Sequence, residues 1–336
     1  MLSSASEIRK SNKRQKTDKK DAKWIADLFK HDLVNGSLIP PKDIRQLRDL
    51  CLYWVKLSSD TTGKKNRAQN CLTVFNFKLD DVFTNVFGKS ASAITTQLLE
   101  HPGESFDVAP FVDGRCRTPI DKIQKAVDGV FSYEQAEKLK IIRSHMNSLD
   151  RHKAELESLI LGIAEKYTSQ IKLLMTVPGI NDVFTAIRII AEIGVDMSVF
   201  ETSKKLCSWA GLTPQNNESA GKKKTTRIGK SGAYLKPLLI QIAIASSRSE
   251  KHPEIREKYL ALKKRRGGQK AKVAIARKLL TAIFNILAKN EPYNPTLYHK
   301  DEKPPLARVI SQEQAISILS NMGYVLDPLI LSTPLQ

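Results

Sequence analysis

Leu139, Ile142, Met146, Leu149, Lys153, Leu156, Ile160, Ile163, Tyr167, Gln170 and Leu174 are separated alternately by three and four residues. That spacing lays one stripe along an α-helix, and no strand can use it. Carried over five heptads, it is a coiled-coil seam, weakened where Lys153 and Gln170 take core positions. A seam needs a partner. The helical stretch over residues 43–86 offers one in cis and a second copy of the chain offers one in trans, while a long helix packed on its own domain is the simpler alternative.

The flanking segments are also helical. In AKWIADLFKHDLV, Trp24, Ile25, Leu28, Phe29 and Leu33 fall at helical spacing, with Thr17 placed to cap. Beyond Pro40 and Pro41, residues 43–87 read as one or two long amphipathic helices, and residues 88–120 as short helices and loops. VPGIN followed by DVFTAIRIIAEIG has the look of a helix-hairpin-helix with its turn at Pro178 and Gly179. Such a turn either offers backbone N–H groups to phosphate or is an ordinary corner, and the pattern alone does not choose. Helices are expected over 233–248 and 273–289, with KKRRGGQKAK between them as a basic turn. A proline-interrupted tail over 294–336 carries one more helix, over 312–321.

Charge narrows the function. The 336 residues include 54 Lys and Arg against 35 Asp and Glu, a formal net charge of +19, and the cations fall in clusters. Such a surface attracts polyanions, so nucleic acid is the expected partner. Cys51, Cys71, Cys116 and Cys207 form no CxxC pair, which argues against a zinc site and a disulfide framework. MLSSASEIRKSNKRQK has no apolar stretch and no run is long enough to span a bilayer, so a cytoplasmic protein with no membrane partner is expected. Phosphate-binding P-loop, dinucleotide and metalloprotease motifs are absent from the sequence.

Three groups of residues can carry chemistry. Asp18 and Asp21 are three residues apart at a helix start, on one face, where two carboxylates either bridge a divalent cation such as Mg2+ or complement the helix dipole. Ser219 lies in NNESAGKKK ahead of Lys222, Lys223, Lys224, Arg227 and Lys230, where cations can hold and polarise a phosphate, although no histidine lies nearby as a base. Ser231 in GKSG is a second candidate hydroxyl. A further cluster of Lys264, Arg265, Arg266, Lys270, Lys272, Arg277 and Lys278 is expected, with the Ser219 lysines, to touch nucleic-acid backbone.

KTDKKDAKWIADLF, VPGIN through WAGLTP, the Ser219 loop, RIGKSGAYLK and AIARKLLTAIFNIL together resemble the insertion-sequence transposases of the IS one-ten family, which act as bridge-RNA-guided DNA recombinases. The resemblance implies a RuvC-like domain of ribonuclease-H fold with an Asp-Glu-Asp-Asp metal site, a coiled coil, and a C-terminal domain with a nucleophilic serine. Asp18 and Asp21 match the last two acids of that site and Ser219 matches the serine. The first Asp and the Glu belong on strands upstream of KTDKKDA, where Glu7 is the sole acid among seventeen residues. The expectation is therefore a mainly α chain with a truncated RuvC-like remnant over 1–120, a coiled-coil segment over 121–175, and a compact helical serine transposase domain with a helix-hairpin-helix-like motif over 176–293. The tail over 294–336 follows. The resemblance further implies Mg2+, DNA, a structured guide RNA and a homo-oligomer. A catalytically inactive remnant that only binds DNA or RNA is the alternative.

Overall fold

The computed structural model describes residues 17–31, 33, 39–214, 217–219, 222–225, 227–229 and 231–298. Two compact units divide after Tyr293; the first contains every element discussed below. The helix expected over 312–321 lies outside the described residues.

Twelve α-helices, three short 3-10 turns and one short hairpin occupy the described part of this unit. The first is α1 (Asp18–Lys30), followed by α2 (Lys42–Val74), the single turn α3 (Leu79–Val82), α4 (Lys89–Glu100) and α5 (Ile120–Ala126). Next come α6 (Tyr133–Ala164), α7 (Thr168–Leu174), α8 (Val183–Ile193) and α9 (Ser203–Trp209). Strands β1 (Asn217–Ser219) and β2 (Lys222–Thr225) precede α10 (Leu235–Arg248), α11 (Pro253–Arg266) and α12 (Gly268–Lys289). The chain is mainly helical, as expected. The sheet that a RuvC-like remnant implies is not among the described residues.

The heptad stripe finds its cover in cis. Tyr167 donates its hydroxyl to Asp43, Trp54 Nε1 donates to Glu157 Oε1 at 2.8 Å, and Lys64 Nζ lies 3.3 Å from His145 Nδ1. Each step up α2 is a step down from the far end of the seam, so α2 and α6 run antiparallel. Leu139, Ile142, Met146, Leu156 and Ile160 are buried along that line. Lys153, expected to weaken the seam, instead sets its ammonium 5.2 Å from the centroid of the Trp54 ring, a cation–π contact. The stripe is not one unbroken helix. A 3-10 turn at Glu165–Tyr167 interrupts it, and Thr168 donates its hydroxyl to the Glu165 carbonyl there. Gln170 therefore belongs to α7.

Two cores share α2. The far half of this helix contributes Ala68, Cys71 and Leu72 to a cluster with Phe77, Ile94, Val108, Ile123, Phe131 and Leu139. Its near half meets α8, which buries Ala186, Ile187 and every residue from Ile189 to Ile193. Arg48 grips Glu192 of α8 with two donors, Nε at 3.3 Å and Nη2 at 3.0 Å, and Glu192 is only 8% exposed. Burial raises the Glu192 carboxyl above its ordinary range and the Arg48 and Arg188 cations pull it back. The neighbouring Cys51 thiol is pushed up to about 12 by burial, so it is inert. Beyond α8, α10 and α12 pack together through Leu239, Ile242, Ile275, Leu279 and Ile283.

The basic segment over 263–272 was expected to be a turn; the turn is confined to Gly267, and the residues before it end a helix, α11, that was not expected. Pro253 opens α11, Glu254 stands in its first turn, and Lys263, Lys264, Arg265 and Arg266 fill its last, all favourable to the helix dipole. Gly267, at φ 84°, makes the turn alone and α12 begins at the next residue. Only Ile255 of α11 is buried, so no apolar periodicity announces this helix.

Candidate nucleic-acid interface

Ser219 lies on a hairpin that rises from a narrow neck. After α9 the chain turns at Gly211 (φ 67°), and the returning strand turns at Gly232 (φ 69°). A Cβ on Gly211 would stand 2.6 Å from the Ser231 carbonyl oxygen, and one on Gly232 would stand 2.3 Å from that of Ala210. Two backbones meet here at a distance that only glycine permits. Lys236, in the first turn of α10, ties the return strand with hydrogen bonds to the carbonyls of Gly229 (2.7 Å) and Ser231 (2.9 Å). A bridge between Pro214 and Ile228 closes the neck.

Above it, β1 and β2 pair antiparallel with Ser219 opposite Lys222, Glu218 opposite Lys223 and Asn217 opposite Thr225. The register slips between Asn217 and Glu218. A loop was expected from the polar sequence; a strand holds Ser219 instead. No apolar alternation marks these strands, because the neck below sets their pairing. Ser231 belongs to the neck and packs against Gly211. Lys236, which sequence reasoning passed over, is signalled only by its place as a cation at the start of an apolar helix.

The expected contact residues fall into two groups. Lys222, Lys223 and Lys224 lie on β2 and Arg227 follows it, exposed; Lys230 lies outside the described residues. Lys264, Arg265, Arg266 and Lys270 are exposed around the corner at Gly267. Lys272 and Lys278 are half-buried on α12, and Arg277 is exposed. The two groups are linked through α9. Its Cys207 Sγ lies 3.7 Å from the Arg277 carbonyl oxygen and 3.6 Å from Thr281 Oγ1, so the middle of α12 packs on the helix that leads into the neck. From Gly268 to Arg277, α12 advances ~14 Å, leaving a basic run between corner and neck.

Asp18 and Asp21 stand in the first turn of α1, with Asp18 exposed, and no side chain of this helix is buried. Among the described residues, no group of three or more His, Cys, Asp or Glu side chains could hold a metal ion. Two carboxylates, one exposed and one half-buried, do not by themselves make a magnesium site. The VPGIN turn is packed rather than displayed: a Cβ on Gly179 (φ 87°) would lie 2.6 Å from the Ile242 carbonyl oxygen of α10.

Two family models match the chain. One, described as the transposase IS116/IS110/IS902 family, covers residues 171–260, from α7 through the hairpin into α11. The other, described as a transposase, covers residues 3–77 and so takes in α1 and α2. These two segments are each similar to a transposase domain. Over 121 residues the chain is 33% identical to a transposase for insertion sequence element IS1111A from Coxiella burnetii, covering 35% of this chain and 33% of that protein. Over 130 residues it is 32% identical to pilin gene-inverting proteins of Moraxella bovis and Moraxella lacunata, covering 38% of this chain and 39% of theirs. The matched stretches thus span between a third and two fifths of these relatives. No helix among the described residues is long and apolar enough to cross a membrane.

Proposed function

We propose that this chain is a DNA recombinase of the insertion-sequence type in which Ser219 is the nucleophile. The observation that carries the reading is the placement of Ser219 in β1, opposite Lys222, on a hairpin fixed at its base by Gly211, Gly232 and Lys236. That hairpin falls inside the segment matched by the transposase family. In the proposed step the Ser219 hydroxyl loses its proton to solvent and its oxygen attacks a backbone phosphorus. A phosphoserine ester forms, the bond to one DNA strand end breaks, and the departing oxygen takes a proton. The lysines of β2 and Arg227 offset the charge that builds on the phosphate oxygens. Attack on the ester by the hydroxyl of another strand end restores the serine and joins DNA without an external energy source.

The basic corner of α11 and α12 binds the flanking DNA or a structured guide RNA through phosphates. No step is routed through a metal, since Asp18 and Asp21 supply only two of the four acids that the resemblance implies for a magnesium site. Assembly with further copies of the chain is part of the same reading. The alternative is a protein that binds nucleic acid without cutting it, and one assay separates the two. Incubation with guide RNA and target DNA, followed by denaturing electrophoresis, is expected to show a protein–DNA adduct that Ser219→Ala abolishes and Ser231→Ala retains. Binding without any adduct would support the alternative, and an adduct that survives Ser219→Ala would remove Ser219 from the mechanism.

A further inference from the structure

A pocket of about 210 Å³ opens between α2, α4 and α6, lined among others by Lys65, Phe87, Ser92, Arg143, Asn147 and Asp150. It lies on the α2–α6 pair at the end remote from α8. Lys65 follows Trp54 by eleven residues along α2, ~16 Å. It is thus separate from the hairpin and from the α11–α12 corner.

The feature that needs explaining is Arg143. Its guanidinium is half-buried, and Nη2 donates to Thr96 Oγ1 at 2.9 Å and to Ser92 Oγ at 3.4 Å, both neutral oxygens. Among the described residues no carboxylate forms an ion pair with it. Glu100 is near enough to favour its charge and Asp150 lines the pocket, yet burial is the larger influence and lowers the arginine below its usual range. A half-desolvated cation held by hydroxyl dipoles lacks the partner for which its planar fork is shaped. Lys65, which lines the same pocket, holds its ammonium 5.5 Å from the Phe87 ring centroid. Lys64 and His145 continue the basic strip outside. The cavity is smaller than the ~300–1,000 Å³ of ordinary small-molecule sites and its walls are mixed, so an apolar metabolite is a poor fit. A tetrahedral anion is a good one. Its oxygens suit a guanidinium fork and an ammonium, and the Ser92 hydroxyl, which accepts from Arg143, keeps a proton to donate.

We propose that the Arg143 pocket is a second nucleic-acid contact, seating one backbone phosphate while the hairpin and the basic corner hold others. The proposal rests on the reading above that nucleic acid is the partner. Anisotropy of labelled DNA and RNA with the full chain tests it in Arg143→Met, Arg143→Lys and Lys65→Met. Loss of a charge-assisted hydrogen bond predicts about tenfold weaker binding in Arg143→Met, with partial recovery in Arg143→Lys. Lys65→Met loses the contact with the Phe87 ring but no hydrogen bond or ion pair among the described residues, so it is expected to weaken binding in the same direction and to lower the melting temperature only slightly. Weaker binding in Lys65→Met supports the pocket even if Arg143→Met is unstable, whereas wild-type affinity in both methionine variants overturns it. Pyrophosphate separates the sources: competition with the oligonucleotide at the pocket supports a backbone phosphate. If the wild type binds no nucleic acid, the functional reading fails. A pyrophosphate-dependent rise in melting temperature that Arg143→Met abolishes would then still support an anion pocket, and no rise would overturn it.

Discussion

Gly179→Ala separates two accounts of the VPGIN turn. The residue has φ 87°, a region in which an L side chain costs roughly 1–2 kcal/mol. The new methyl would lie 2.6 Å from the Ile242 carbonyl oxygen and 3.1 Å from the Ser246 amide nitrogen, below the 3.0 Å floor in the first case. Both are backbone atoms of α10, so the helix itself must shift by several tenths of an ångström. Forced shifts of that kind in a packed core cost about 1–3 kcal/mol. Together the substitution is expected to destabilise the protein by about 2–5 kcal/mol. Urea unfolding, compared through midpoints at an unchanged slope, measures this. Gly63→Ala and Gly162→Ala are the controls: both lie inside helices with open space where the methyl would go, and each is expected to stabilise by about 0.5–1 kcal/mol. If Gly179→Ala lowered stability by less than about 1 kcal/mol while weakening DNA binding, the packing account would be wrong and a displayed phosphate-binding turn would replace it.

Glu192→Ala leaves Arg48 and Arg188 without their shared carboxylate and is expected to destabilise by roughly 3 kcal/mol in the same unfolding assay. Asp43, held by Lys166 and Tyr167, has its carboxyl lowered well below the usual 3.8, chiefly by the hydrogen bond from Lys166. Its contribution is present above pH 3.8 and is lost as pH falls further. Asp43→Asn should therefore lower stability at neutral pH and converge with the wild type in acid, which flattens the acid limb of a stability–pH profile. Replacing Lys222, Lys223 and Lys224 together with Ala should weaken DNA binding across sequences. The slope of log affinity against log salt should flatten by up to about 2.7, at ~0.9 per phosphate contact, and an unchanged slope would move the interface away from β2.

Most of the helical frame was legible because burial writes itself as spacing. The stripe from Leu139 to Ile160 marked one long helix, and the cis partner over 43–86 was one of two expected solutions. What the stripe could not show was its interruption at Glu165–Tyr167, where Tyr167 donates to Asp43, a residue 124 positions away. Helix α11 was missed for the opposite reason: with Ile255 as its one buried residue, capping and dipole complementarity hold it without an apolar face. The strands around Ser219 were hidden because glycine contacts at the neck, rather than side-chain alternation, decide that they pair. Ser219, Asp18 and Asp21 are candidates from residue type, spacing and family resemblance; Lys236 and Arg143 required coordinates, since their partners are carbonyls and hydroxyls that carry no signature in sequence.

The antiparallel pair constrains how such a chain can change length. Helix α2 is 33 residues long, ~50 Å, and belongs to one core at each end. Inserting a single residue in its middle would turn one core by ~100° relative to the other and pull every rung with α6 out of step. Lengthening is tolerable only when both helices gain matching turns, in steps close to seven residues that return the stripe to the same side. Insertions and deletions among relatives should therefore collect outside 43–74 and 133–164, or appear there as compensating pairs. The distance between the two cores would then be inherited as a fixed gauge.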